Sequence, residues 1–461
     1  MKSISRRDFI KHSSAGLLAS TLSFGPYSCA LKKRKPNFVF FMTDDQRWDG
    51  MSCAGNTILK TPNMDRIAEE GVRFENMFVT TSLCGPSRAS ILTGKYAHNH
   101  GVRRNGMALP AEQKTFIEMI KEAGYETAFI GTWHNRDRAK NRGLDYYFGF
   151  KGQGRYNNPV ISENFGPDEE YKGHVTDILA DHAIKFLEQK HDKPFCLLLW
   201  FKAPHRSWRH AERFNDLFKD KKMPEPSNFH DTYEGKPDAV RNADMKIGDF
   251  KDVADLDTYL KRYYGCLAGV DENVGRVLDA LEQQGYEDST VVAYSGDNGF
   301  FLGEHHFFDK RLMYEESIRV PLLVKYPKMI KPGTTKADMV LNVDIAPTIL
   351  DLAGIPIPET MDGKSIKPLL EGKETEWRKD FLYEYYEYPA VHSVRKNRGV
   401  RTERWKYIHY FEDPEEFELF DLQSDPQEMN NLVNDPEYKD IIEQLKTRMT
   451  DLRKELKDPD L

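Results

Sequence analysis

The chain has 461 residues, which exceeds one ordinary core and suits a large α/β domain with a smaller companion. Its 66 basic and 73 acidic residues leave a formal charge of -7, and the longest basic block is the short LKKRK at residues 31–35, which argues against nucleic acid as a partner. No run after residue 35 is long and apolar enough to span a bilayer.

The first 30 residues, MKSISRRDFIKHSSAGLLASTLSFGPYSCA, pair Arg6 with Arg7, continue through Phe9-Ile10-Lys11 into a weakly apolar Gly/Ser/Ala segment, and end on small residues around Cys29. This pattern reads as a twin-arginine export signal, which places the mature chain in the periplasm or outside the cell. Lipoprotein anchoring at Cys29 is a weaker fit, with Pro26-Tyr27 ahead of it. Five cysteines in an exported chain first suggest disulfides. Cys29 would leave with the signal, and at most one bridge remains among Cys53, Cys196 and Cys266. Cys196, inside FCLLLWF, reads as a small buried hydrophobe, so disulfides are not expected to hold the fold.

Four continuous apolar runs then end in polar tips. NFVFFMTDDQ closes on Asp44-Asp45, AGYETAFIGTWH on His134, FCLLLWFKAPH on Lys202 and His205, and STVVAYSGDNG on Asp297-Asn298. Such runs are buried parallel strands, and open α/β sheets place their chemistry at the C-terminal ends. TPNMDRIAEEG and VDENVGRVLDALEQQG carry helical periodicity between them. From about residue 370 the texture changes to short alternating segments rich in Tyr, Phe and Trp, then to an amphipathic terminal stretch, PEYKDIIEQLKTRMTDLRKEL. The expected fold is therefore α/β, with a large mostly parallel sheet flanked by helices over residues 36–370. A smaller α+β subdomain of antiparallel strands and a terminal helix is expected over residues 371–461.

Asp44, Asp45, Asp297 and Asn298 would converge if their strands are neighbours, and such a hard oxygen set suits Ca²⁺ or Mg²⁺ rather than zinc. Either pair alone is ordinarily a turn or a helix cap. Between them lies Cys84-Gly85-Pro86-Ser87-Arg88, continued as ASILTG.

This stretch resembles the signature of the type I, formylglycine-dependent sulfatases of the alkaline phosphatase-like superfamily. The resemblance continues in family order through TPNMDRIAEEGVRFENMF, YAHNHGV, DYYFGF, APHRSW, YSGDNGFFLGEHHFFDKRLMYEES, RVPLLVKYP, NVDIAPTILDLAG, WKYI and ELFDLQSDPQEMNNL. It implies that a maturation enzyme oxidises Cys84 to formylglycine. In that family one hydroxyl of the hydrated aldehyde attacks sulfur and the other lets sulfate leave as the aldehyde reforms. It further implies Asp44, Asp45, Asp297, Asn298 and the modified Cys84 as ligands of calcium, with magnesium as the alternative. Arg88 would orient the nucleophile, His134 would assist sulfate release, His205 would protonate the leaving alcohol, and Lys310 would hold the sulfate.

One position departs from the family: its Gly-Lys-Trp-His is Gly131-Thr132-Trp133-His134 here. Loss of one charge-assisted contact in such a site costs about 2 to 4 kcal/mol of transition-state stabilisation. Lys202, Arg136 and Arg138 stand near enough in sequence to substitute. The leading expectation is an exported sulfatase acting on a sulfated carbohydrate, with His100, Arg103, Arg104 and Lys202 as candidate substrate contacts. The alternatives are a phosphonate or phosphate ester hydrolase of the same superfamily and a sugar-binding relative with impaired catalysis.

Overall fold

The computed structural model describes residues 35–134 and 139–461, so the export-signal reading of residues 1–30 and the candidates Arg136 and Arg138 lie outside the described residues. In chain order the strands are β1 (Asn37–Thr43), β2 (Val72–Phe78), β3 (Glu126–Thr132), β4 (Tyr146–Phe150), β5 (Val160–Glu163), β6 (Asp168–Glu170), β7 (Phe195–Trp200), β8 (Thr290–Gly296), β9 (Phe301–Leu302), β10 (Phe308–Asp309), β11 (Arg319–Lys325), β12 (Thr334–Leu341), β13 (Asp380–Tyr385), β14 (Asn397–Thr402), β15 (Trp405–Tyr410) and β16 (Glu416–Asp421).

The large sheet runs β12-β2-β11-β8-β1-β7-β3-β4-β5-β6. Its central block, β8-β1-β7-β3-β4, is parallel throughout, with Phe41 registered against Leu199 on one side and Tyr294 on the other. The four apolar runs of the sequence are thus four consecutive neighbours, and every residue of β1 and β7 is buried, as strands covered on both faces must be. β11 runs against its neighbours on both sides, which makes the sheet mixed.

Helices cover the faces. Pro62–Glu69 starts with proline in its first turn, where a missing N–H costs nothing. The long helix Leu256–Gln283 is capped by Asp255, whose side chain accepts from Thr258 N at 2.8 Å. Its Asp271 carboxylate accepts from the Met64 and Asn63 amides at 2.8 and 3.1 Å, so the long helix holds the start of the short one. β9 and β10 form a two-stranded pair of their own, and the C-terminal sheet, β13-β14-β15-β16, is wholly antiparallel. The helix Lys439–Glu455 lies on it through Ile442, Leu445, Met449 and Leu452, one helical face. Lys35–Leu461 form a single compact unit, and the two sheets meet where Glu384 N donates to Thr80 O at 3.0 Å. The four described cysteines, Cys53, Cys84, Cys196 and Cys266, are free.

Candidate active site

The neighbouring strands β8, β1, β7 and β3 deliver their C-terminal tips to one place. Asp44 and Asp45 follow β1, Asp297 and Asn298 follow β8, His134 follows β3, and the Lys202–His205 turn follows β7. Facing them is the helix Cys84–Thr93, all ten of whose residues are buried, with Cys84 at its first position. Cys84 Sγ lies 3.4 Å from Asp44 Oδ1 and 4.0 Å from Asp45 Oδ1. Ligand atoms of Asp44, Asp45, Cys84 and Asp297 all fall within 4.8 Å of one another.

Three carboxylates packed so closely need positive charge between them. Arg88, 1% exposed, supplies part of it: Nη2 donates to Asp44 Oδ2 and Nε to Asp297 Oδ2, both at 2.9 Å, and Nη1 donates to Thr132 O at 2.5 Å. The guanidinium therefore ties β1, β8 and β3 to the helix headed by Cys84, a forked geometry that lysine could not reproduce. Lys310 supplies the rest. Its Nζ pairs with Asp45 Oδ1 and donates to Cys84 Sγ at 3.2 Å.

A cation fits what remains. Asn298 turns its amide N–H to Asp45 Oδ1 at 2.7 Å, while its Oδ1 is buried without a partner among the described residues. That orphaned oxygen and the carboxylates make an all-oxygen donor set suited to a hard divalent ion. Burial raises the Asp45 carboxyl, and burial with the neighbouring Asp44 charge raises Asp297 to about 6. Asp44 moves the other way: burial opposes ionisation but is outweighed by His205, Arg88 and Lys310, which hold it well below the carboxylate range. Burial and the Asp44 charge push the Cys84 thiol far up, so the unmodified side chain would be a poor nucleophile.

The two histidines approach from opposite sides. His205 Nδ1 donates to Arg206 O at 2.6 Å, which leaves Nε2, 3.7 Å from Asp45 Oδ2, as the nitrogen free to exchange a proton. His134 Nε2 accepts from Gln153 Nε2 at 2.7 Å, and the same amide nitrogen lies 3.3 Å from Asp44 Oδ2. Burial, chiefly, lowers both imidazoles to about 4. Gln153 escaped the sequence reading, since a glutamine between two glycines carries no distinctive chemistry; the sole cue was the loop FKGQG directly after β4.

The structure brings Cys84, Arg88, His134, His205, Lys310, Asp44, Asp45, Asp297 and Asn298 into one cluster. Thr132, at the family's lysine position, is buried with its hydroxyl unpartnered among the described residues. Lys202 does not reach Cys84: its Nζ donates to Arg206 O at 3.3 Å and lies 4.9 Å from the centre of the Tyr156 ring. His100, a candidate substrate contact, is 0% exposed, with Nε2 3.1 Å from Ser90 Oγ and Nδ1 accepting from Val102 N at 3.0 Å. Arg103 pairs instead with Asp460 at 2.6 Å and lies over the Tyr386 ring, and Arg104 is exposed beside it. Its neighbour Asn105 accepts from Gly85 N at 2.8 Å.

Known proteins match this arrangement. The sulfatase family model covers residues 36–355, and the model for the C-terminal part of N-sulphoglucosamine sulphohydrolase covers residues 303–455. An N-acetylglucosamine-6-O-sulfatase of Bacteroides thetaiotaomicron is 38% identical over 98% of this chain and 93% of its own. The human N-acetylglucosamine-6-sulfatase is 33% identical over 78% of this chain and 69% of its own. A solved structure of a protein in complex with its substrate D-glucosamine-2-N,6-O-disulfate superposes with a TM-score of 0.88 at 39% identity, covering 93% of this chain and 99% of that one. With the acidic cage, the buried arginine and the cysteine-headed helix in one cluster, the chain belongs to the sulfatase family of sulfuric ester hydrolases.

Proposed function

We propose that this protein is an exported sulfatase that removes the 6-O-sulfate of glucosamine-type sugars, after a maturation enzyme converts Cys84 to formylglycine. The observation that carries the reading is the position of Cys84: first residue of a buried helix, 3.4 Å from Asp44, with Lys310 Nζ 3.2 Å from its sulfur. The 6-O position comes from the two N-acetylglucosamine-6-sulfatases that the chain resembles. Export rests on the Arg6-Arg7 segment.

Asp44, Asp45, Asp297 and Asn298 would hold calcium, and bound there with the formylglycine the ion would supply an activated hydroxyl and neutralise charge on the sulfate. The protein's own groups do the rest. Arg88 keeps the carboxylates in place and offsets their charge. Lys310, which burial opposes but Asp45 holds strongly in its charged form, offers a fixed cation to a sulfate oxygen. His205 in its charged form would give its Nε2 proton to the departing sugar oxygen, while Nδ1–H stays on the Arg206 carbonyl, which fixes the ring for it. His134, oriented by Gln153, would take a proton on Nε2, the nitrogen that accepts from the Gln153 amide, when sulfate leaves. Beside His134 a cavity of about 980 Å³ presents Trp133, Tyr147, Phe150 and Phe165, surfaces on which a sugar ring can stack.

Thr132 favours a second reading, a sugar-binding relative with little turnover, and one experiment separates the two. Protein produced with the maturation enzyme is checked by mass spectrometry of the peptide around residue 84. Sulfate release from N-acetylglucosamine 6-sulfate is then compared with that of Cys84→Ser. The expected result is an aldehyde mass with release that falls at least a hundredfold in the variant, because serine lacks the second hydroxyl needed to expel sulfate. Converted protein that binds the sugar without releasing sulfate would establish the second reading.

A further inference from the structure

Next to the reacting cluster is a second cavity of about 500 Å³, lined by Gln153, Arg155, Lys202, Arg206, Arg209 and Asp252 among others. Four cations face one carboxylate there. Among the described residues none of the four is ion-paired, whereas other arginines of this chain are engaged: Arg213 by Asp177 and Glu272, and Arg448 by Asp380 and Glu455. Lys202 is 3% exposed, yet among the described residues its Nζ has one hydrogen-bond partner, Arg206 O. The Arg206 guanidinium lies over the Phe250 and Phe308 rings, 6.0 and 5.7 Å from their centres, rather than on an acid. Arg155 and Arg209 stand exposed at the rim. Crowding four like charges against a single carboxylate is unfavourable, and a further anion between them would relieve it.

The cavity also adjoins the chemistry. Lys202 and Arg206 bracket His205 in the same turn, and the Tyr156 hydroxyl at the cavity wall donates to His205 O at 2.6 Å. Gln153, on the same wall, reaches His134 and Asp44. The scissile sulfate has its own cation in Lys310, so this second set of positive groups is left for another part of the ligand.

We propose that this cavity is an anion subsite that holds a second negatively charged group of the substrate while its 6-O-sulfate lies at Cys84. The proposal rests on the sulfated-sugar reading above. Two sources share the required chemistry: an N-sulfate on the same ring, or the carboxylate of an adjoining uronate. Because the cations sit in a partly water-excluded cavity, the second anion contributes binding that a neutral acetamido group or a neutral neighbouring sugar does not.

The test compares kcat/KM for substrate pairs that differ by one charge, in the wild type and in the double variant Arg155→Gln, Arg209→Gln, both rim positions that a fold tolerates. The first pair is glucosamine 6-sulfate with N-sulfate against N-acetyl. The second is a 6-sulfated N-acetylglucosamine joined to a uronate against the same unit joined to a neutral sugar. The wild type is expected to prefer the charged member of one pair by about tenfold or more, and the double variant to bring that ratio close to one; the responding pair identifies the source. A wild-type ratio below about twofold in both pairs, or a preference that survives in the double variant, overturns the subsite. Calorimetric binding of the same sugars to Cys84→Ser reads the ratio without turnover. A preserved binding preference together with aldehyde-bearing wild type that releases no sulfate overturns the sulfatase reading alone, and absence of binding to every sugar overturns both.

Discussion

Asp45 and Asp297 are held at a cost that the cation-free protein cannot escape. Burial raises both carboxyls above their ordinary value of 3.8, Asp297 to about 6. A carboxyl whose folded pKa lies above its unfolded one makes the folded state bind more protons. Its contribution to stability is therefore present at low pH and lost as pH rises through the raised value, which for Asp297 is about 6. A divalent ion bound there would replace those protons, and protons would compete with it. Calcium added to chelator-treated protein should raise the melting temperature more near pH 7.5 than near pH 5, as read by thermal shift; an equal rise at both would mean that the carboxylates are not its ligands. The donors were legible in the sequence because both acidic pairs end long apolar runs. Gln153 was not, since its contacts with His134 and Asp44 depend on where the loop after β4 folds back.

At the level of elements, the strand tips converge only because the strands pack very closely. Gly131 in β3 has φ +123° and faces the backbone of β7 so tightly that a Cβ would lie 1.8 Å from Trp200 O. Any side chain must push β3 from β7, moving His134 away from the β1 tip and straining the backbone as well. Gly131→Ala should cost about 3 kcal/mol or more, within the range for overpacking combined with a disallowed conformation. Urea denaturation measures it, and a loss below about 1 kcal/mol would show that the two strands can part without penalty. The strands themselves were easily read, since β1, β3, β7 and β8 are unbroken apolar segments with polar ends. Their order was not. Sequence places β7 and β8 far apart along the chain, yet both pair with β1, and no local pattern in RVPLLVK shows that β11 runs opposite to both neighbours. Such pairings are settled by long-range burial rather than by local periodicity.

Over the whole molecule, the reacting end of the large sheet is fastened to the C-terminal layer by buried polar contacts. The segment YAHNHGV follows the helix headed by Cys84, and its His98 carries one such link. His98 Nδ1 lies 2.6 Å from Glu384 Oε2, its backbone N–H donates to Glu384 Oε1 at 3.0 Å, and Nε2 lies 3.2 Å from Leu456 O. One imidazole thus joins the chain after Cys84 to β13 and to the end of the terminal helix. Glu384 is 286 residues away, so the sequence shows the histidine and conceals its partner. Burial opposes the charged ring, but the hydrogen bond and charge of Glu384 outweigh it and raise the His98 pKa above its ordinary 6.5. The charged pair therefore adds stability fully below about pH 6.5, and that part is lost as pH climbs through the raised folded value. His98→Gln removes the charge and the link to Leu456 while leaving a side chain of similar reach. It should cost about 1.5 to 3 kcal/mol at pH 6, the range for a buried hydrogen bond to a charged group, and less at pH 9. Paired urea titrations of wild type and variant isolate this residue, since every other titration cancels in the difference. A difference that does not shrink between those two pH values would mean that His98 binds Glu384 as a neutral ring, and that the tie between the two layers carries no charge.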